Sequence, residues 1–534
     1  MQAFLSIYSV IDWILRGVSA TAQTLAVGGA TFFLLTLTPL KLGSRRPALE
    51  RFCARLVFSS ASASCVVQLL AAAALIAFLI GSTGAGLEIA ASADAVSFHL
   101  ISAGAALALA CLVRAAHFSK PRALFALSLL LVGSHLGVTH AASWMESSLS
   151  LLMAEMLHLL ALATWIGGIP YFIASLRMID DGDERRCLAR RFSITSLASV
   201  TAIVATGLFM AVPYTGSLER LYQTTYGLLL GSKVVLLIML LCLGAINFLA
   251  IRSRRRDKDP INRVPAIAEV EVGIGVIAIL CAAALASSPL ATATEAARPD
   301  AAEVSAHFQL AWPSLKSPAY AEVSAAQPNA AVTLADPEIA NRSEADVAWS
   351  ETHHHHAALV VIVTGLLALL AHSRRLRPIA QHWPLLLLGL AGYLVVTADE
   401  EAWPLGKIGF FQSLTIPQIA QHKLMIALIA GFAFCEWCVQ SKRFKSAWPS
   451  YVFPLMIAAA AAFLLTHYGH TGRKEEVFIQ ISHTPIALLG VIVASARWVE
   501  LRIGSTTVSR LAGVVWPIAM VAAGAFLLMY RETV

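Results

Sequence analysis

The sequence predicts an all-α polytopic membrane protein of about 14 transmembrane helices, with both termini outside, on the periplasmic side. Composition is the first ground: 58% of the 534 residues are hydrophobic, only 13% are charged, and mean hydropathy is +0.71. Soluble domains carry roughly 25% charged residues, so the bilayer must be the solvent. The second ground is length: runs such as Ile194 to Val212 and Leu228 to Ala250 suit helices crossing a core about 30 Å thick. The third is charge placement, because loops rich in Lys and Arg stay on the cytoplasmic side.

Taken in order, the apolar runs lie near 9–37, 56–81, 97–116, 123–142, 149–176, 193–213, 225–251, 264–287, 357–372, 383–398, 422–440, 451–468, 481–498 and 511–530. The first is not a cleavable signal, since no basic residue precedes Arg16 and the apolar stretch continues to about Leu37. With the N-terminus outside, alternate loops hold Lys41 to Arg55, Arg114 to Arg122, Arg177 to Arg191, Arg252 to Arg263, Arg374 to Arg377, Lys442 to Lys445 and Arg497 to Arg510. These loops contain most of the 39 Lys and Arg residues, which accounts for the net charge of +7 and leaves no reason to invoke nucleic acid.

One long segment interrupts the apolar pattern. Residues 289–356 are rich in Ala, Pro and Ser, show no periodicity, and read as a flexible periplasmic linker carrying a His tract. It separates an eight-helix membrane domain, 1–288, from a six-helix one, 357–534. The eight cysteines are scattered, mostly in apolar runs, and suggest no disulfide framework.

On this topology the 16 histidines are unevenly placed. His99, His135, His140 and His158 fall at or below the outer mouths of the first domain, and His422, His467, His470 and His483 do so in the second. Imidazole is a ligand for Cu, Zn, Fe and Ni, and ionisable groups within spans usually face a bundle interior or cavity. His467 and His470 are three apart and share a helix face, as do Glu155 and His158, with Met153 and Met156 nearby as soft donors for Cu(I). The expected metal ligands are therefore His99, His135, His140, Glu155, His158, His422, His467, His470 and His483, holding copper as Cu(I) or Cu(II). Against this stands the ordinary role of an interfacial histidine, hydrogen bonding at a helix end.

Other features have blander readings. His353 to His356 form a tract that can collect metal weakly or do nothing. Cys435 and Cys438 form a CxxC at an inner helix end, more in keeping with packed thiols than with a Cu(I) exit. Asp12 and Arg16 should neutralise each other, Lys233 should snorkel, and Glu269 and Glu271 could belong to an ion route. No phosphate-binding GxxxxGK[ST] loop exists, so nucleotide-driven pumping is not indicated, and the chain is not read as an enzyme.

Two stretches carry a resemblance. His158 leading to Trp165-Ile-Gly167-Gly168, and the series Arg190-Arg191-Phe192-Ser193, Thr225-Tyr226-Gly227, Lys233, Asn247, Glu271 and Ser288-Pro289, resemble the CopD/PcoD copper-resistance family over most of 1–290. Trp403 to Gly406, Gln421-His422, Lys474 to Glu476, Ser482 to Pro485 and Ala496 to Glu500 resemble the C-terminal membrane extension of longer members. The resemblance implies a bacterial inner-membrane protein of copper homeostasis that carries copper across the membrane, partnered by a periplasmic CopC-type copper-binding protein. Residues 289–356 lack the pattern of a fused partner of that type. Two alternatives stay open: a b-type haem electron-transfer protein using His135 and His158 as axial ligands, and a copper-insertion factor without transport.

Overall fold

The computed structural model describes residues 2–40, 46–116, 118–137, 148–253, 260–292, 298–309, 312–326, 343–466, 474–504 and 506–532. His140, His467 and His470 lie outside the described residues. The chain is a polytopic α-helical membrane protein: among the described residues, 13 helices are long and apolar enough to span, and Pro121–Leu136 is a shorter apolar one. Helices satisfy every backbone group internally, as the hydrocarbon core demands. Extended pairing among the described residues is limited to an isolated bridge between Ala402 and Ile408.

In chain order the apolar helices are α1 (Gln2–Phe32), α2 (Arg46–Thr83), α3 (Asp94–Ala116), α4 (Pro121–Leu136), α5 (Ser148–Leu162), α6 (Gly182–Thr215), α7 (Thr225–Arg252) and α8 (Val264–Ser287). They continue with α9 (Glu344–Leu370), α10 (Pro384–Thr397), α11 (Pro417–Gln440), α12 (Val452–Leu465), α13 (Lys474–Ile503) and α14 (Thr507–Leu527). Two compact units result: Met1–Leu218 with Lys233–Thr292, and Glu219–Ser232 with Ala293–Val534.

In the first unit α1 is central, packing on α2, on α8 and on a π-helical turn, Ala163–Gly167, that follows α5. The Trp165-Ile-Gly-Gly motif sits in that turn, and its glycines let two backbones touch. A methyl on Gly167 would fall 2.0 Å from the Thr24 carbonyl oxygen, and one on Gly28 would fall 2.3 Å from the Gly167 carbonyl carbon. Small residues at such crossings are what allow membrane helices to approach closely. Tyr171, fully buried, ties the same crossing by donating to the Leu25 carbonyl at 2.9 Å.

The second unit is built on α13 against α14 and α12, α9 against α14, and α10 against α11. Its core stacks Trp383, Phe453 and Trp516, with ring centroids 5.5 and 5.6 Å apart from Trp383. The segment 289–356, expected to be a linker, contains helical stretches at Ala301–His307 and Tyr320–Ala326. It also contains the start of α9, which a Ser343–Asp346 capping box opens. The four-histidine tract is therefore inside α9, not on a mobile lead-in: once capped, the helix satisfies the tract's backbone, and the side chains find partners.

Candidate metal centre

Each candidate histidine is best judged by which ring nitrogen the protein has already engaged. When Nδ1 donates its proton to a fixed oxygen, the neutral ring carries its lone pair on Nε2, the arrangement that supporting groups impose on metal-ligating histidines.

In the first unit, His99 on α3 is buried and donates from Nδ1 to Gln68 Oε1 at 2.6 Å; Gln68 in turn donates to Ser19 Oγ at 2.8 Å. Ser102 and Ser134 bridge α3 to α4 at 2.7 Å, one position before His135. His135 feels the charges of His99 and of Arg16, which is paired with Asp12 at 2.6 Å. The pair Asp12–Arg16 is structural as expected, and it opens a polar stripe on α1, continued by Ser19 and Gln23.

A second group surrounds His158 on α5. Its Nδ1 lies 2.9 Å from Thr206 Oγ1, and Thr206 gives its own proton to the Ala202 carbonyl, so the imidazole is the donor. Lys233 acts electrostatically on His158, and Glu155 and Cys281 act on Lys233. Glu155 also acts on Tyr214. Lys233, expected to snorkel, thus lies within electrostatic reach of Cys281 on α8 and Glu155 on α5. Farther along, Glu271 is buried and accepts from Asn247 Nδ2 at 2.5 Å, while Glu269 pairs with Arg177.

The second unit gathers its histidines more tightly. His354 on α9 donates from Nδ1 to the Ser350 carbonyl at 2.8 Å, and His483 on α13 donates to the Ile479 carbonyl at 2.8 Å. His422 on α11 donates to Asp399 Oδ1 at 2.7 Å. The rings of His354 and His483 lie 6.1 Å apart, and both His354 and His422 act electrostatically on His483. Glu532 joins them, held by Ser350 Oγ at 2.5 Å and Tyr530 Oη at 2.7 Å, and Tyr530 stacks on His354 at 4.1 Å. A side-chain exposure of 29% leaves His422 reachable.

The rest of the tract does a different job. His355 directs its two nitrogens to the Ser314 and Tyr530 carbonyls, at 3.0 Å each. His356 donates from Nε2 to the Leu315 carbonyl at 3.1 Å and accepts from Tyr393 Oη at 2.7 Å. With both nitrogens consumed, these two are anchors of neighbouring chain, not ligands.

Of the residues expected from sequence, the structure brings His422 and His483 into one group, His99 and His135 into another, and Glu155 and His158 into a third. Among the described residues no three His, Cys, Asp or Glu side chains already converge as a closed metal site. Sequence reasoning passed over Asp399 and Glu532, and weighed His354 only as part of the tract His353 to His356. The i,i+4 step from Ser350 to His354 was visible, but the folding of the tract into α9 was not.

Residues 186–285 match the sequence model of a family described as Copper resistance protein D. That stretch covers most of α6 to α8 and so includes Thr206, Tyr214, Lys233, Asn247, Glu271 and Cys281. A Bacillus subtilis (strain 168) protein described as Copper transport protein CutJ is 32% identical over 170 residues, which is 31% of this chain and 30% of the relative. The chain thus spans under a third of that relative's length. No solved structure matches.

Proposed function

We propose that this chain, whose residues 186–285 match the copper resistance protein D family model and which is a multi-pass protein of a bacterial inner membrane, captures copper at the His354, His422 and His483 end of its second unit and carries it across the bilayer. One observation carries the reading: three imidazoles at one end of that unit each have Nδ1 committed to an oxygen, so each neutral ring has its lone pair on Nε2. Two such nitrogens, each about 2.0–2.1 Å from a metal, can share one ion at the ring separation of His354 and His483. Glu532 supplies an oxygen donor for Cu(II), and His467 and His470, which follow α12 in the chain, are further ligands in this reading.

His99 with His135, and His158 with Glu155, form the copper-handling groups of the first unit in this proposal, with His140 following α4. The histidine end is the periplasmic one, since Arg374, Arg375, Arg377, Lys442, Arg443 and Lys445 gather at the opposite end of the second unit, so both termini face outside. A separate periplasmic CopC-type protein is then the donor. The test is copper accumulation in sealed vesicles containing the purified protein. Time-dependent uptake in wild type, lost in a His354, His422 and His483 triple Ala variant, supports the reading. Binding without accumulation would leave a copper-insertion factor, and a haem Soret band in the metal-free protein would displace copper altogether.

A further inference from the structure

The second unit holds, at the end remote from its histidine cluster, a buried ionic group that the copper reading does not use. Arg497 on α13 donates from Nη2 to Glu436 Oε1 on α11 at 2.8 Å and from Nη1 to Glu500 Oε2 at 2.7 Å. Gln440 Nε2 also donates to Glu436 Oε1 at 2.8 Å, and Trp516 Nε1 on α14 donates to Glu500 Oε2 at 2.9 Å. Glu436 has no exposed surface and Arg497 is 7% exposed.

Two carboxylates therefore share one guanidinium, and their surroundings differ. Both donors to Glu436 converge on Oε1, whereas its Oε2 is enclosed with no hydrogen-bond partner among the described residues. A bare carboxylate oxygen sealed from water costs several kcal/mol, far more than a hydroxyl in the same place. Glu500 is better placed to be the anion: its side chain is 21% exposed, and it takes donors from Arg497 and Trp516. His372, 44% exposed, stands 3.9 Å from its other oxygen. Cys435 and Cys438 flank Glu436 on α11, the first half-buried and the second buried, and neither supplies a positive charge.

We infer that Glu436 holds an exchangeable proton on Oε2, and that Glu500 and His372, kept beside it by the guanidinium of Arg497, lie on its way to the basic end of the unit. The two ends of the unit are joined by the same helices. His422 and Glu436 lie fourteen positions apart on α11, as do His483 and Arg497 on α13, roughly 21 Å at 1.5 Å per residue. Copper entering the histidine end shifts both helices together, and the proton leaves Glu436 as positive charge arrives. This coupling rests on the copper reading above; the bound proton does not.

Infrared difference spectroscopy of the full chain in liposomes tests both parts. The metal-free protein at neutral pH is expected to show a protonated-carboxyl band, shifted by deuterium oxide and absent in Glu436→Gln. In Glu500→Gln, Arg497 must take Glu436 as its counter-anion, and the band is expected to disappear there too. A band unchanged in both variants overturns the assignment. Adding Cu(I) or Cu(II) should bleach the band in wild type; a band indifferent to bound copper overturns the coupling. Copper titration of the same samples separates the two readings: wild type that binds no copper defeats the metal-site proposal, while the band still decides whether Glu436 is protonated.

Discussion

The two units hold histidines in different ways. In the first, two imidazoles are tied to side chains of neighbouring helices, His99 to Gln68 and His158 to Thr206, and the two are embedded in separate polar groups. In the second, His354 and His483 are tied to carbonyls of their own helices and His422 to a carboxylate, and the three rings crowd one end. A side-chain tether from another helix couples the ring to helix packing. A tether to the preceding turn fixes the tautomer from within the ring's own helix. The first arrangement suits passage between helices, and the second suits capture.

The sharpest way to break this contrast is to compare two variants. His354, His422 and His483 replaced together by Ala should lose high-affinity copper binding in a titration of purified protein, whereas His99→Ala with His158→Ala should retain it. The reverse ranking would place capture in the first unit. A smaller effect follows from the support of His422. Asp399→Asn keeps the shape but removes the charge that holds Nδ1–H, and copper affinity should fall about 10- to 100-fold with the fold intact by circular dichroism. His356→Ala should leave copper affinity unchanged, because both of its nitrogens are already spent.

The packing of the first unit gives a third handle. Gly167→Ala drives a methyl into the Thr24 carbonyl, where neither backbone can yield, and should lower stability by about 1–3 kcal/mol in a denaturant titration in detergent. The second unit's copper binding should survive it. The smallest expected effect concerns His307, in the extramembrane stretch Ala301–His307. Burial against Phe478 lowers the affinity of this imidazole for a proton, with the Arg531 charge adding to the effect. Its folded-state pKa thus lies below the ordinary 6.5, so the unfolded segment binds protons more readily. Docking of that stretch is complete above about pH 6.5 and weakens as pH falls below it. Amide exchange over 298–309 should quicken at pH 5 relative to pH 7.5.

Much of this was legible in the sequence, and the limits are physical. Apolar length foretold the helices because the bilayer leaves a chain few choices. The short α4 and the π-turn at Ala163–Gly167 were less visible, since both depend on neighbours. Crowding of histidines towards certain helix ends was visible as well, because position along a helix follows from counting. Partner identity was not. Asp399 lies beyond the end of α10 and Glu532 beyond α14, and only packing brings them to His422 and His483. Hydropathy gave no sign that Glu155 and Cys281 come within electrostatic reach of Lys233. The Trp-x-Gly-Gly stretch, which carried part of the family resemblance, serves as a close backbone crossing.

Copper K-edge X-ray absorption on protein loaded with one equivalent of copper tests the central claim directly. Imidazole scattering from two or more nitrogens at about 2.0 Å, lost when His354, His422 and His483 are replaced together, is the expected result. An identical spectrum in the triple variant would contradict it and move the metal away from the second unit's histidine end.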